Sequence, residues 1–117
     1  MRPLLYDRAR DAQSAVKMAA QGGVTPTSAP AQFLAGGTNI IDFMKLDSWR
    51  ADTLVDINDL QAAHGQISAR PDGLHLGALV RMSQAAEDPT INRDYPVVTQ
   101  TLKLAASAQL RLSLIHI

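Results

Sequence analysis

Two adjacent glycines followed by a threonine and an asparagine, in the stretch FLAGGTNIIDFMKL (residues 33–46), form the part of this sequence best suited to holding an anion. Without a Cβ atom the backbone can turn sharply and a ligand can approach it closely, while unpaired N–H groups and the dipole of a following helix favour negative charge. Thr38 and Asn39 add side-chain donors. The same spacing also serves a plain tight strand-to-helix turn with an N-cap, so the glycine pair by itself leaves both readings open. A P-loop needs Lys followed by Ser or Thr after its last glycine, whereas here Asn39 is followed by Ile40 and Ile41. Nucleoside triphosphate hydrolysis is therefore disfavoured. The Rossmann fingerprint needs three spaced glycines, which GGTNII does not supply.

Other chemistry-bearing residues are scattered. A hairpin turning at Pro71 and Asp72 sets His75 opposite Ser68 and His64 opposite Leu79, so the two histidines lie about four strand positions, or roughly 13 Å, apart. That separation excludes a shared metal. His75 alternates with Leu74 and Leu76 and is expected on the less buried face, solvated rather than catalytic. Asp42, Asp47, Asp52, Asp56 and Asp59 fall on helix faces, turns and strand ends, where capping or solvated roles are the default. No residue is assigned a catalytic or metal-ligating role. The stretch GALVRMS (residues 77–83) is a second small-residue strand end, which either leaves room for a flat ring or reflects close packing.

The elements that must position these residues can be read in turn. Asp11 is an N-cap for a helix carrying Ala12, Ala15, Val16 and Ala19 at helical spacing, closed by Gly22 and Gly23. A loop over residues 24–31 leads into a short strand at 32–35. Ile40, Ile41, Phe43 and Met44 then recur at spacings of three and four, and Asn39 with Asp42 has capping-box spacing, so a helix begins at or next to Thr38. TLVDI (residues 53–57) is a strand ending at the Asn58–Asp59 turn signal, and HGQISARPDGLHLGALV (residues 64–80) is a hairpin. A short helix over MSQAAED stops at Pro89, and Tyr95, Val98, Leu102 and Ala105 or Ala106 line a longer one. The expected fold class is α+β (α/β-like), with short strands, flanking helices and one hydrophobic core.

Composition narrows the function. A hydrophobic fraction of 46% and a charged fraction of 19% are those of an ordinary globular chain, which argues against disorder. Eleven basic residues balance eleven acidic ones with no basic stripe, so nucleic acid is not an expected partner. No run has membrane-spanning length, and the charged N-terminus offers no signal peptide. With no cysteine, the chain holds no disulfide and no thiolate-ligated cluster.

As an ordered set, FLAGGTNIIDFMKL, LVDIN, LHLGALVRMSQAAED and the helix ending ASAQLR resemble the N-terminal part of the FAD-binding (medium) subunit of the molybdenum hydroxylase and xanthine dehydrogenase family. The wording GGTNIIDFMKL is most similar to the bacterial aldehyde oxidoreductase branch. The resemblance implies the N-terminal subdomain of the FAD-binding PCMH-type fold, with the FAD pyrophosphate held by Phe33, Leu34, Ala35, Gly36, Gly37, Thr38, Asn39 and Ile40. It also implies a heterotrimer or higher assembly, in which a large subunit holds the molybdenum cofactor and a small subunit two 2Fe–2S clusters. The flavin would pass electrons to an external acceptor.

The family pattern continues past AQLR into a second glycine-containing loop and, in the aldehyde branch, a cysteine-rich insertion with a 4Fe–4S cluster. Here LRLSLIHI follows instead, and LSLIHI resembles the translated start of a sequencing adapter. Residues 1–111 are thus expected to be a truncated part of the FAD-binding domain and 112–117 a non-native tail. The compartment implied is the cytoplasm, or the periplasm by co-export with a partner. The alternative is a nonenzymatic α+β interaction module whose glycine turn is only structural.

Overall fold

The computed structural model describes residues 3–20 and 29–105. Gly22 and Gly23, most of the loop expected at 24–31, Ala106, the boundary at residue 111 and the tail at 112–117 lie outside the described residues. The chain divides into two compact units, Met1–Leu60 and Gln61–Ile117, each with its own hydrophobic cluster rather than the single core expected from length.

The first unit is a three-stranded parallel sheet with strands β1 (Leu5–Arg8), β2 (Ala31–Leu34) and β3 (Thr53–Asp56) in the order β1-β3-β2. Parallel neighbours need crossover connections, and helices α1 (Ala12–Ala19) and α2 (Thr38–Lys45) lie in those connections. β3 is central, and Leu54, Val55 and Asp56 are all buried, whereas every residue of the edge strand β1 is exposed. A central parallel strand is covered on both faces, which is why it reads as a continuous apolar run with one carboxylate at its end. Met44, Ala51 and Leu54 form the core of this unit, with Leu4, Leu34, Ile40 and Ile41 packed against it.

Helix α1 starts as expected, with the Asp11 side chain accepting from the Ser14 N–H at 2.7 Å and the Ser14 hydroxyl oxygen accepting from the Asp11 N–H at 3.3 Å. Of its expected apolar face only Ala15 is buried; Val16 is exposed. Helix α2 begins at Thr38, but its N-cap is Gly37 in the left-handed conformation, and the capping box expected from Asn39 and Asp42 is not what starts it.

In the second unit, β4 (Ile67–Arg70) and β5 (Gly73–Leu76) form an antiparallel hairpin with Ser68 opposite His75, the expected register. His64 is not in a strand. It ends a short helix, α3 (Gln61–His64), and its carbonyl accepts from the Leu79 N–H at 2.9 Å, so the two residues meet through a loop rather than a longer ladder.

Helices α4 (Met82–Glu87), α5 (Pro89–Asp94) and α6 (Pro96–Leu104) follow. Pro89 does end α4, but it opens α5 at the same time. Its missing N–H costs nothing at a first helical position, and the Asp88 carboxylate caps the helix by accepting from Thr90 and Ile91 at 3.0 Å each. Val80, Met82, Ala85, Ala86, Ile91 and Leu102 form the core here, and Tyr95, Val98 and Ala105 pack against it as the helical spacing requires.

Candidate functional site

The ladder between β2 and β3 ends at the pair Leu34 and Asp56. Beyond it, Ile57 N–H still donates to the Leu34 carbonyl at 3.0 Å, and then β3 turns away into a 3-10 turn, Asn58–Leu60. The Asn58 side chain takes over. Its Nδ2 donates to the Ala35 carbonyl at 2.8 Å and to Asp56 Oδ1 at 2.8 Å, while its backbone N–H donates to the same Oδ1 at 2.8 Å. Both neighbours of the amide are acceptors, which fixes the nitrogen as the atom facing them.

Asp56 is the hub of this arrangement. Its Oδ2 accepts from the Tyr6 hydroxyl and lies 3.7 Å from Arg8 Nη2; Arg8 Nε is 3.7 Å from Asp59 as well. Burial pushes the Asp56 carboxyl up, but the Tyr6 hydroxyl, the two donors of Asn58 and the Arg8 charge outweigh it and hold the group below its ordinary value. Asp56 is therefore an ionised acceptor at neutral pH; of the capping and solvated roles expected from the sequence it takes the capping one, at the start of the 3-10 turn, and adds to it a partner from another strand, Tyr6. Asp56, Asn58 and Tyr6 are the residues that the sequence reading missed. The available signal was the Asp-x-Asn spacing of DIN, in which an aspartate can accept from the N–H two residues on.

On the other side of the turn stand the eight residues singled out from the sequence. Leu34 and Ile40 send their side chains to the core of the unit and anchor the turn from both ends. Phe33 is 46% exposed, Ala35, Gly36, Gly37 and Thr38 are half-buried, and Asn39 is exposed. Gly37 has φ of 79°, and a Cβ there would lie 3.2 Å from Leu34 Cδ1 and 3.3 Å from Ile41 Cγ1. The N-cap of α2 thus carries no side chain, no side-chain cap bond is made at it, and the first turn of the helix contains no acidic residue. Backbone N–H groups at a helix start, a bare turn and no carboxylate in the first helical turn suit an anion such as a diphosphate.

Nothing else among the described residues gathers comparable chemistry. No group of three or more His, Cys, Asp or Glu residues is placed to hold a metal ion. His75 Nε2 lies 3.1 Å from Asp72 Oδ1 on the exposed face of the hairpin. At the second small-residue strand end, a Cβ on Gly77 would fall 2.1 Å from the His64 carbonyl oxygen, so close packing accounts for that glycine.

The chain as a whole is similar to known proteins. The family described as "FAD binding domain in molybdopterin dehydrogenase" matches residues 2–113. The aldehyde oxidoreductase FAD-binding subunit PaoB of Escherichia coli is 41% identical over 81 residues, which span 69% of this chain and 25% of that protein. Among solved structures, carbon monoxide dehydrogenase from Hydrogenophaga pseudoflava superposes with a TM-score of 0.86 at 24% identity over 97% of this chain and 38% of that one. Quinoline 2-oxidoreductase from Pseudomonas putida 86 gives 0.81 at 22% identity, over 94% of this chain and 36% of that one; at these identities both likenesses are of fold. The chain spans about a quarter of the length of the curated relatives it matches. With nearly all of its residues matched, this chain belongs to the family of FAD-binding domains in molybdopterin dehydrogenases, and its mixed helix and strand fold is theirs.

Proposed function

We propose that this chain is the N-terminal part of the FAD-binding subunit of a molybdenum-containing oxidoreductase of the aldehyde or xanthine type, and that residues 33–40 hold the FAD pyrophosphate. The observation that carries the reading is the left-handed, side-chain-free N-cap at Gly37, set at the start of a helix with no acid in its first turn, within a chain of the FAD-binding family. The backbone of Ala35, Gly36 and Gly37 gives the diphosphate close approach to N–H groups, and Thr38 and Asn39 contribute a hydroxyl and an amide as further donors. Leu34 and Ile40 keep the turn rigid by anchoring it in the core. When bound, FAD supplies the redox chemistry, receiving electrons from iron–sulfur clusters and delivering them to an external acceptor. This chain's own share is to bind and orient.

A large subunit with the molybdenum cofactor and a small subunit with 2Fe–2S clusters complete the assembly in this reading. The name of the aldehyde oxidoreductase relative, itself called a subunit, supports it. In this reading a 4Fe–4S cluster would be a further cofactor of the completed subunit, held outside these 117 residues. No helix among the described residues is long and apolar enough to cross a membrane. The working compartment in this reading is the cytoplasm, or the periplasm by co-export with a partner. The test is to complete the subunit to the length of its relatives, co-express it with its partners and record its absorbance. A yellow complex releasing one FAD per subunit is expected, whereas a folded, assembled and colourless one contradicts the reading. The 117 residues alone are expected to bind FAD weakly or not at all; tight stoichiometric binding would mean that the second glycine loop contributes little.

A further inference from the structure

The carbonyls of Leu34 and Ala35 are held in two different ways. Leu34 is held by the backbone of Ile57, as a further rung of the sheet, but the chain after Ile57 has left the strand direction and cannot offer the next rung. At that point the Asn58 side chain stands in for a strand residue, placing an N–H on the Ala35 carbonyl 2.8 Å away. Its second hydrogen is used on Asp56 Oδ1, and Asp56 is itself fixed by the Asn58 backbone N–H and the Tyr6 hydroxyl. A side chain of this length needs two donors on one atom to make both contacts. Asp has none and Ser has one.

We propose that Asn58, locked by Asp56 and Tyr6, is a positioning residue for the glycine turn. By holding the Ala35 carbonyl it keeps the N–H groups that follow, from Gly36 to Asn39, in the arrangement that receives the diphosphate. This rests on the reading of residues 33–40 as the pyrophosphate site. None of the three side chains is among the residues assigned to the flavin, so they act through the turn. Without the brace the turn samples other conformations, and apparent affinity falls by the fraction of time spent in the competent one. A hydrogen bond from a neutral side chain to backbone contributes enough to change that fraction by about three- to tenfold.

The experiment uses the completed subunit, stripped of flavin, and reads two quantities: amide hydrogen exchange in peptides covering residues 33–40 and 53–56, and the FAD dissociation constant. Asn58→Ala is expected to speed exchange at residues 35–39 while leaving 53–56 unchanged. It should weaken FAD binding about three- to tenfold, with full stoichiometry and an unaltered flavin spectrum at saturation. Asn58→Asp keeps the size but removes both donors and should do at least as much. Should Asn58→Ala not fold, Tyr6→Phe deletes only one hydroxyl on an exposed strand and should give the same local pattern at about twofold. Exchange unchanged at 35–39, or raised equally at 53–56, overturns the positioning role. Locally faster exchange with unchanged FAD affinity keeps the brace and overturns the pyrophosphate assignment instead.

Discussion

Gly37 and Gly77 both follow a strand and precede a helix, and both sit among small residues, but they require glycine for different reasons. At Gly77 the demand comes from outside: a Cβ would meet the His64 backbone carbonyl at 2.1 Å, and no rotamer change relieves a backbone contact. At Gly37 the demand is internal: φ is 79°, and the nearest neighbours of a Cβ are the ends of two side chains, Leu34 and Ile41, at 3.2 and 3.3 Å. In the second unit the space of the missing side chain is taken by the protein itself. In the first, the missing side chain permits a dihedral that turns β2 into α2 within a few residues. A small-residue strand end is therefore one sequence signal with two physical causes, and only the second belongs to the proposed ligand site.

Substitution separates the two. Gly77→Ala forces the His64 segment to move and is expected to destabilise the folded chain by about 3 kcal/mol, in the upper range for overpacking. Gly37→Ala carries the left-handed penalty, about 1–2 kcal/mol, and Gly37→Asn less than that, because Asn tolerates this region. Urea denaturation of the three variants checks the order. If Gly37→Ala cost more than Gly77→Ala, the distinction between steric and dihedral demand would collapse.

A smaller effect distinguishes the brace from both glycines. Asp56 is held below its ordinary value in the folded chain, so the stability it contributes is fully present above the unfolded-state value and is lost as pH falls through the folded one. Denaturation midpoints measured from pH 6 downward should fall as the pH drops below about 4. Asp11, Asp72 and Asp94 are also held low by exposed partners, so wild type will lose stability from several groups at once. The difference between wild type and Asp56→Asn isolates the buried carboxylate: the variant's acid dependence should be shallower. Equal slopes would mean that Asp56 titrates alike folded and unfolded.

Much of the first unit was legible because its signals are local. The N-cap at Asp11, the helix start next to Thr38 and the strand at TLVD each follow from a few neighbouring residues. The register of the hairpin followed from its turn, since Pro71 and Asp72 fix which residues face each other. What local pattern could not supply was partnership across the chain. Asp56 meets Tyr6 from a strand fifty positions away, and Asn58 reaches Ala35. Spacing along the sequence carries no trace of either contact, so a carboxylate that organises the turn read as an ordinary strand end. Helix α5 escapes local pattern for a different reason: Pro89 signals the end of α4, yet proline is equally at home as a first helical residue.

Gly36 and Gly37 are not equivalent places to put a valine. The positive φ of Gly37 rules it out as a clean probe, since its variants perturb the turn with or without ligand. Gly36 lies outside the positive-φ glycines and remains available. The most direct test is therefore the FAD dissociation constant of the completed subunit carrying Gly36→Val, with circular dichroism and melting temperature showing that it is folded. If phosphate oxygens lie against this turn, the branched side chain displaces them from about two charge-assisted N–H bonds of roughly 1.5–3 kcal/mol each, and affinity should fall by about two to four orders of magnitude. A folded Gly36→Val subunit that retains wild-type FAD affinity would make the paired glycines a turn and nothing more.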